Sequence, residues 1–92
     1  MLTQYSNPEE VYHKAKRIFG DDVNIKESSR QDKKYMIYNP ETNKWVHFGY
    51  YGMEDYTKHK NLMRREKFRL RNHKWADKPP YSPAFLSYWL LW

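Results

Sequence analysis

Cysteine is absent from this 92-residue chain. Disulfides, thiolate metal ligands and cysteine nucleophiles are therefore excluded, and the absence fits a reducing compartment. Glycine occurs only three times, at Gly20, Gly49 and Gly52. That dispersal leaves no glycine-rich loop to cradle a phosphate, and no cofactor is expected. The longest apolar run, Ala84 to Trp92, is broken by Ser87. It falls well short of the ~20 residues a membrane helix needs, so no membrane partner is expected. Met1 to Tyr5 shows no charged stretch leading into an apolar run, so a secretory signal is not expected.

Aliphatic residues are also scarce, whereas the chain holds nine Tyr, four Trp and four Phe. A chain of this length forms one domain, residues 1–92, and buries only roughly 60–65% of the surface its unfolded form exposes. An aromatic core is the expected answer, because aromatic rings are the largest apolar loads a side chain brings. The net charge is +6, and its placement is uneven. Residues 1–54 carry eight cations and eight anions, and residues 77–92 carry one of each. The whole excess lies in residues 55–76, where Lys58, Lys60, Arg64, Arg65, Lys67, Arg69, Arg71 and Lys74 face only Asp55 and Glu66. Such asymmetry is the footprint of a phosphate-binding surface.

The element pattern predicts an α+β fold. Asn7-Pro8-Glu9-Glu10 reads as a capped helix start, and Val11, Ala15, Ile18 and Phe19 make an apolar stripe over 8–19, stopped by Gly20. A short strand is predicted at 23–26. Two strands joined by Asn39-Pro40-Glu41-Thr42-Asn43 form a hairpin at about 34–50, completing a small antiparallel sheet. A long basic helix is predicted over about 54–73. At 100° per residue, Tyr56, His59, Met63 and Leu70 make its apolar seat, with Leu62 at the edge. Lys60, Arg64, Lys67 and Arg71 form one basic shoulder, and Lys58, Arg65 and Arg69 another. Phe68 projects near Arg64 and Arg71, outside the seat. Ser82-Pro83 starts a short aromatic helix, 83–92, which is apolar nearly all round and expected to be buried or docked.

Three chemistries compete for these residues. A basic helix neutralises backbone phosphates and releases counterions, with Arg adding bidentate contacts. Phe68 offers a ring for base stacking, although packing against the C-terminal helix is the favoured use. A hairpin histidine followed by a helix histidine suits a ββα-metal nuclease, with His47 as base, His59 as ligand and Asp55 nearby. Acidic or asparagine partners beside His47 are missing, however. His59, Glu66 and His73 lie roughly 10 Å apart along a helix axis, too far for one ion with bonds of about 2 Å. No metal site is therefore expected. Ser28-Ser29 falls in a polar loop with no partner histidine in view.

The run Lys34-Tyr35-Met36, Val46-His47-Phe48-Gly49, Asp55-Tyr56-Thr57-Lys58-His59-Lys60, Arg64-Arg65 and Tyr81-Ser82-Pro83-Ala84-Phe85-Leu86-Ser87-Tyr88-Trp89-Leu90-Leu91-Trp92 resembles a family of uncharacterised small basic proteins. That family is encoded by large double-stranded DNA viruses of algae and protists. The likeness covers roughly the last two thirds of the chain and implies work on viral DNA or inside a virion, with no catalytic residues to carry over. The expectation is a non-enzymatic nucleic-acid-binding protein, DNA favoured, located in the host cell or virion. A minor structural protein wedged between acidic viral partners is the second reading, and the nuclease is the third.

Overall fold

The computed structural model describes all residues, Met1–Trp92. Helix α1 runs Pro8–Phe19. The Asn7 side chain accepts the Glu10 N–H at 3.4 Å, which satisfies one of the orphan donors at a helix start. Val11 and Ala15 are fully buried, while Ile18 at the end of the stripe is largely exposed. Strands β1 (Ile25–Glu27), β2 (Lys33–Asn39) and β3 (Lys44–Tyr50) form one antiparallel sheet in that order. The first strand therefore starts two residues later than the predicted 23–26. The hairpin stands as predicted, with Tyr35 opposite Phe48 and Ile37 opposite Val46. Its turn is built by Asn39, whose side chain accepts the Glu41 N–H at 3.0 Å, and by Asn43 in the left-handed region at φ 57°, where Asn is tolerated.

The sequence predicts one helix over 54–73. The structure divides it into a single turn, α2 (Tyr56–His59), and a surface helix, α3 (Leu62–Arg71). Lys60 between them adopts φ 55°. Asn61 then starts a new helix by accepting the Arg64 N–H at 3.1 Å, and its own amide is taken by His59 Nδ1 at 2.9 Å. An Asn at a helix start outcompetes helix continuation because its side chain replaces a lost backbone bond. The break resets the helical phase, so residues before and after it no longer share a face. The predicted apolar seat does not exist as such: Leu62, Met63 and Leu70 are 61%, 66% and 78% exposed. Helix α3 is held instead by its Phe68–Arg69 edge. Phe68 stacks on Trp92 at 4.3 Å between ring centroids and meets Trp75 edge-on at 5.8 Å. The chain beyond α3 makes a tight helical turn at His73–Asp77.

Helix α4 (Pro83–Leu86) is capped by Ser82, whose hydroxyl accepts the Phe85 N–H at 3.2 Å. It widens at once into a π-helical turn, Ser87–Leu91. Wider turns bring residues four and five apart onto one side, and Leu86, Leu90 and Leu91 all enter the core. This segment packs on α1 and β3. Gly49, at φ 82°, is where Leu91 arrives: a side chain there would lie 2.9 Å from Leu91 Cδ1 and 3.2 Å from Lys34 Cβ.

The core differs from the aromatic expectation. Its nine buried residues are Leu2, Val11, Ala15, Tyr35, Ile37, Phe48, Leu86, Leu90 and Leu91. Only two are aromatic. Tyr12, Phe19, Tyr51, Tyr81 and Trp92 form a half-buried collar around it, while Tyr50 and Trp89 are exposed. Rings with a polar tip are rarely buried outright, so the few aliphatics take the centre and the aromatics close the edges.

Candidate nucleic-acid interface

The cations of 58–74 separate onto two sides of α3. Arg64, Lys67 and Arg71, spaced by three and four residues, share one side. They line a cleft of about 490 Å³ with Lys33 from β2, Phe68, Trp75, Trp92 and the Gly49–Tyr50 end of β3. Arg65 and Arg69 face the other side, where Lys14 and Arg17 of α1 join them. Lys60 leaves the shoulder predicted for it. The left-handed turn swings it to Glu10, with which it forms an ion pair, and over the Tyr56 ring at 5.3 Å. Lys58 and Lys74 are exposed outside both groups.

Two ion pairs exist in the molecule, Lys60–Glu10 and Lys34–Asp55. Lys33, Arg64, Lys67 and Arg71 have no carboxylate partner, so their charge is free to meet an outside anion. The other side is less free. The Arg65 guanidinium lies over Tyr56 at 4.9 Å. Arg69 donates to the main-chain oxygen of Trp92 at 3.1 Å and lies over Tyr88 at 5.4 Å. Burial, with Arg65 adding repulsion, lowers the Arg69 pKa, and its Nε is buried without a partner. Arg69 thus pins α3 to the C-terminal segment. Lys14 also has a lowered pKa, chiefly from burial, with Glu10 opposing and Lys60, Arg65 and Arg69 assisting. Those assisting cations make the second side positively charged as well.

Lys14, Arg17 and Lys33 escaped the sequence reading. They lie in a segment whose charges cancel along the chain, although the fold brings them beside the basic helix. A signal for two of them existed: Lys14 and Arg17 are three apart on the polar side of α1.

Beneath the cleft lies a buried polar network. Lys34 and Asp55 are 3% and 1% exposed, with Nζ 3.0 Å from Oδ2. Lys34 Nζ also donates to the Tyr5 carbonyl at 3.3 Å. The Thr57 hydroxyl donates to Asp55, the Tyr35 hydroxyl donates to Ser6 Oγ at 2.6 Å, and Ser6 and Thr57 are joined at 3.2 Å. Burial lowers the Lys34 pKa, and Asp55 counters only part of that pull.

The residues of the nuclease reading do not converge. Asp55 is engaged with Lys34. His59 packs near Trp92, with ring centroids 5.2 Å apart, and accepts from the Asn61 amide. His47 Nδ1 is 2.6 Å from Ser28 Oγ, so the serine expected to lack a histidine has one across the central strand β2. Burial foremost, with Arg30 next, lowers the His47 pKa. No group of three His, Asp or Glu side chains is placed to hold one metal ion, and no helix is long and apolar enough to cross a membrane.

Residues 23–72, from the first strand through α3, match a family of unknown function, DUF5754. The chain belongs to that family. No curated protein and no solved structure matches the chain. The matched segment contains both sides of the sheet hairpin and all of α3, so the basic cleft is assembled largely from family residues. The aromatic wall of Trp75 and Trp92 lies beyond the match.

Proposed function

We propose that this chain is a non-enzymatic nucleic-acid-binding domain that holds phosphate backbone on the Arg64–Lys67–Arg71 side of α3. The observation that carries this is four cations, Lys33 with those three, on one cleft without a carboxylate partner. Arg supplies bidentate phosphate contacts and Lys a point charge. DNA is the favoured target, and viral DNA in an infected cell or virion is the setting the sequence resemblance suggests.

Fluorescence anisotropy with labelled duplex DNA tests the proposal. Three to four phosphate contacts give a log–log salt slope of about −2.7 to −3.6, so affinity falls roughly 40- to 150-fold between about 50 and 200 mM salt. The variant Arg64→Glu/Lys67→Glu/Arg71→Glu should melt as the parent does, because these side chains make no ion pair, and should lose binding. Arg69 is left in place because the fold uses it. Binding retained by the folded triple variant refutes this assignment.

A second reading, an interaction protein seated between acidic partners, is supported by Leu62, Met63 and Leu70, which stand exposed beside the same cations. An apolar interface of that kind would persist in salt that strips phosphate contacts.

A further inference from the structure

We propose that the cleft beside α3 is a site for one unpaired cytosine nucleotide. This rests on the phosphate-binding reading and makes it more specific. Arg64, Lys67 and Arg71 are exposed, where phosphate can reach them, and they rim a cleft of about 490 Å³, within the ~300–1,000 Å³ range of small-ligand sites. One wall is aromatic, made of Phe68, Trp75 and Trp92. A base has an apolar face suited to such a wall, and stacking of this kind tolerates any base.

The base preference comes from Glu54. It lines the cleft half-buried and makes neither an ion pair nor a hydrogen bond within the chain. In a site built only for phosphate, a free carboxylate would repel the ligand. Its presence is explained if it accepts the amino protons of a base, as carboxylates accept from cytosine N4. The Ser87 hydroxyl, also half-buried in the cleft lining, supplies a second unused polar group for the base edge. Arg64, Lys67 and Arg71 then take the attached phosphate.

The nucleotide has two possible sources, a free mononucleotide or an exposed base of a single strand, and the test separates them. Calorimetric titration compares CMP with UMP, cytidine and inorganic phosphate. Anisotropy compares labelled oligo-dC and oligo-dT single strands with a blunt duplex. CMP bound more tightly than the other three small molecules supports the site with a free nucleotide. CMP silent, with oligo-dC preferred over both oligo-dT and duplex, supports it with a strand as the source. The variant Glu54→Gln should erase the discrimination between C and U. Trp75→Leu should weaken binding about tenfold, a stacked base being worth about 1–3 kcal/mol. Should Trp75→Leu unfold, Lys67→Gln/Arg71→Gln keeps the core intact and should lower CMP affinity about tenfold or more. The proposal is overturned if neither CMP nor oligo-dC outbinds its U or T counterpart. In that case salt-sensitive duplex binding leaves the backbone reading standing, and no binding to any of the ligands removes both.

Discussion

Replacing Asp55 with Asn tests the buried network most directly, because the shape is kept while the charge is removed. Asp55 and Lys34 are nearly inaccessible and 3.0 Å apart. At an effective dielectric of about 20, two charges at that separation attract by about 5.5 kcal/mol. Removing one partner of such a pair typically costs about 3–5 kcal/mol, since the remaining charge stays buried. Lys34 has an escape, which bounds the loss. Giving up its proton at pH 7 costs about 4.6 kcal/mol, from a reference pKa of about 10.4 and about 1.36 kcal/mol per unit. Asp55→Asn should therefore lose about 3–4.5 kcal/mol at pH 7. For a domain of this size that lowers Tm by roughly 12–36 °C.

The pH dependence then identifies the cause. Without Asp55 the Lys34 pKa lies further below its unfolded value, so the unfolded state binds more protons between the two values. Stability then rises with pH in that window. Urea melts of parent and variant at pH 7 and pH 10 should show the variant recovering most of its deficit at the higher pH. Adding Lys34→Met to Asp55→Asn should recover much of it at pH 7. A deficit under about 1 kcal/mol, or one that is the same at both pH values, refutes the view that a stranded ammonium is the cost.

Two further predictions concern the frame around the cleft. Gly49→Ala would place a methyl 2.9 Å from Leu91 Cδ1 at φ 82°. A left-handed backbone costs about 1–2 kcal/mol for a non-glycine residue and overpacking about 1–3, so urea melts should show a loss of about 2–5 kcal/mol; an unchanged midpoint would mean Leu91 does not sit there. The second prediction follows from His59 and His47, both of whose pKa values are lowered, each mainly by burial. Their unfolded forms take up protons first, so stability is full above an unfolded pKa of about 6.5 and declines as pH falls through it toward the folded values. Protonating His59 Nδ1 would also set it against the Asn61 amide it now accepts. Melts between about pH 7.5 and 5 should slope downward with acid, and His59→Gln/His47→Gln should flatten the slope; an equal slope in the variant places the titration elsewhere.

The basic side of the site was largely legible because net charge over 55–76 is a property of composition, and no fold can hide eight cations facing two anions. Spacing alone groups Arg64, Lys67 and Arg71, and it holds inside any unbroken helix. Helical spacing puts Lys60 with them only if the helix is continuous, and it breaks at Lys60. Asn61 was the available signal, an N-cap residue in mid-run. Periodicity puts Leu62, Met63 and Leu70 on one face, but it does not say whether anything covers that face. The structure instead seats α3 by Phe68 and Arg69, through Trp92 and the Trp92 main chain, contacts that span more than twenty residues of sequence.

Local chemistry therefore determined the α+β class, helix α1, the hairpin and its turn, the Ser82 cap and the location of the positive charge. Each depends on residues within a few positions of one another, where capping, alternation and turn preference act. Tertiary structure alone decided which rings were buried, that Lys34 and Asp55 meet, that Ser28 meets His47, and that Lys33 joins the α3 cations around an aromatic cleft. Those outcomes arise from packing distant segments into a small volume, where the shape left by Leu86, Leu90 and Leu91 settles what else fits.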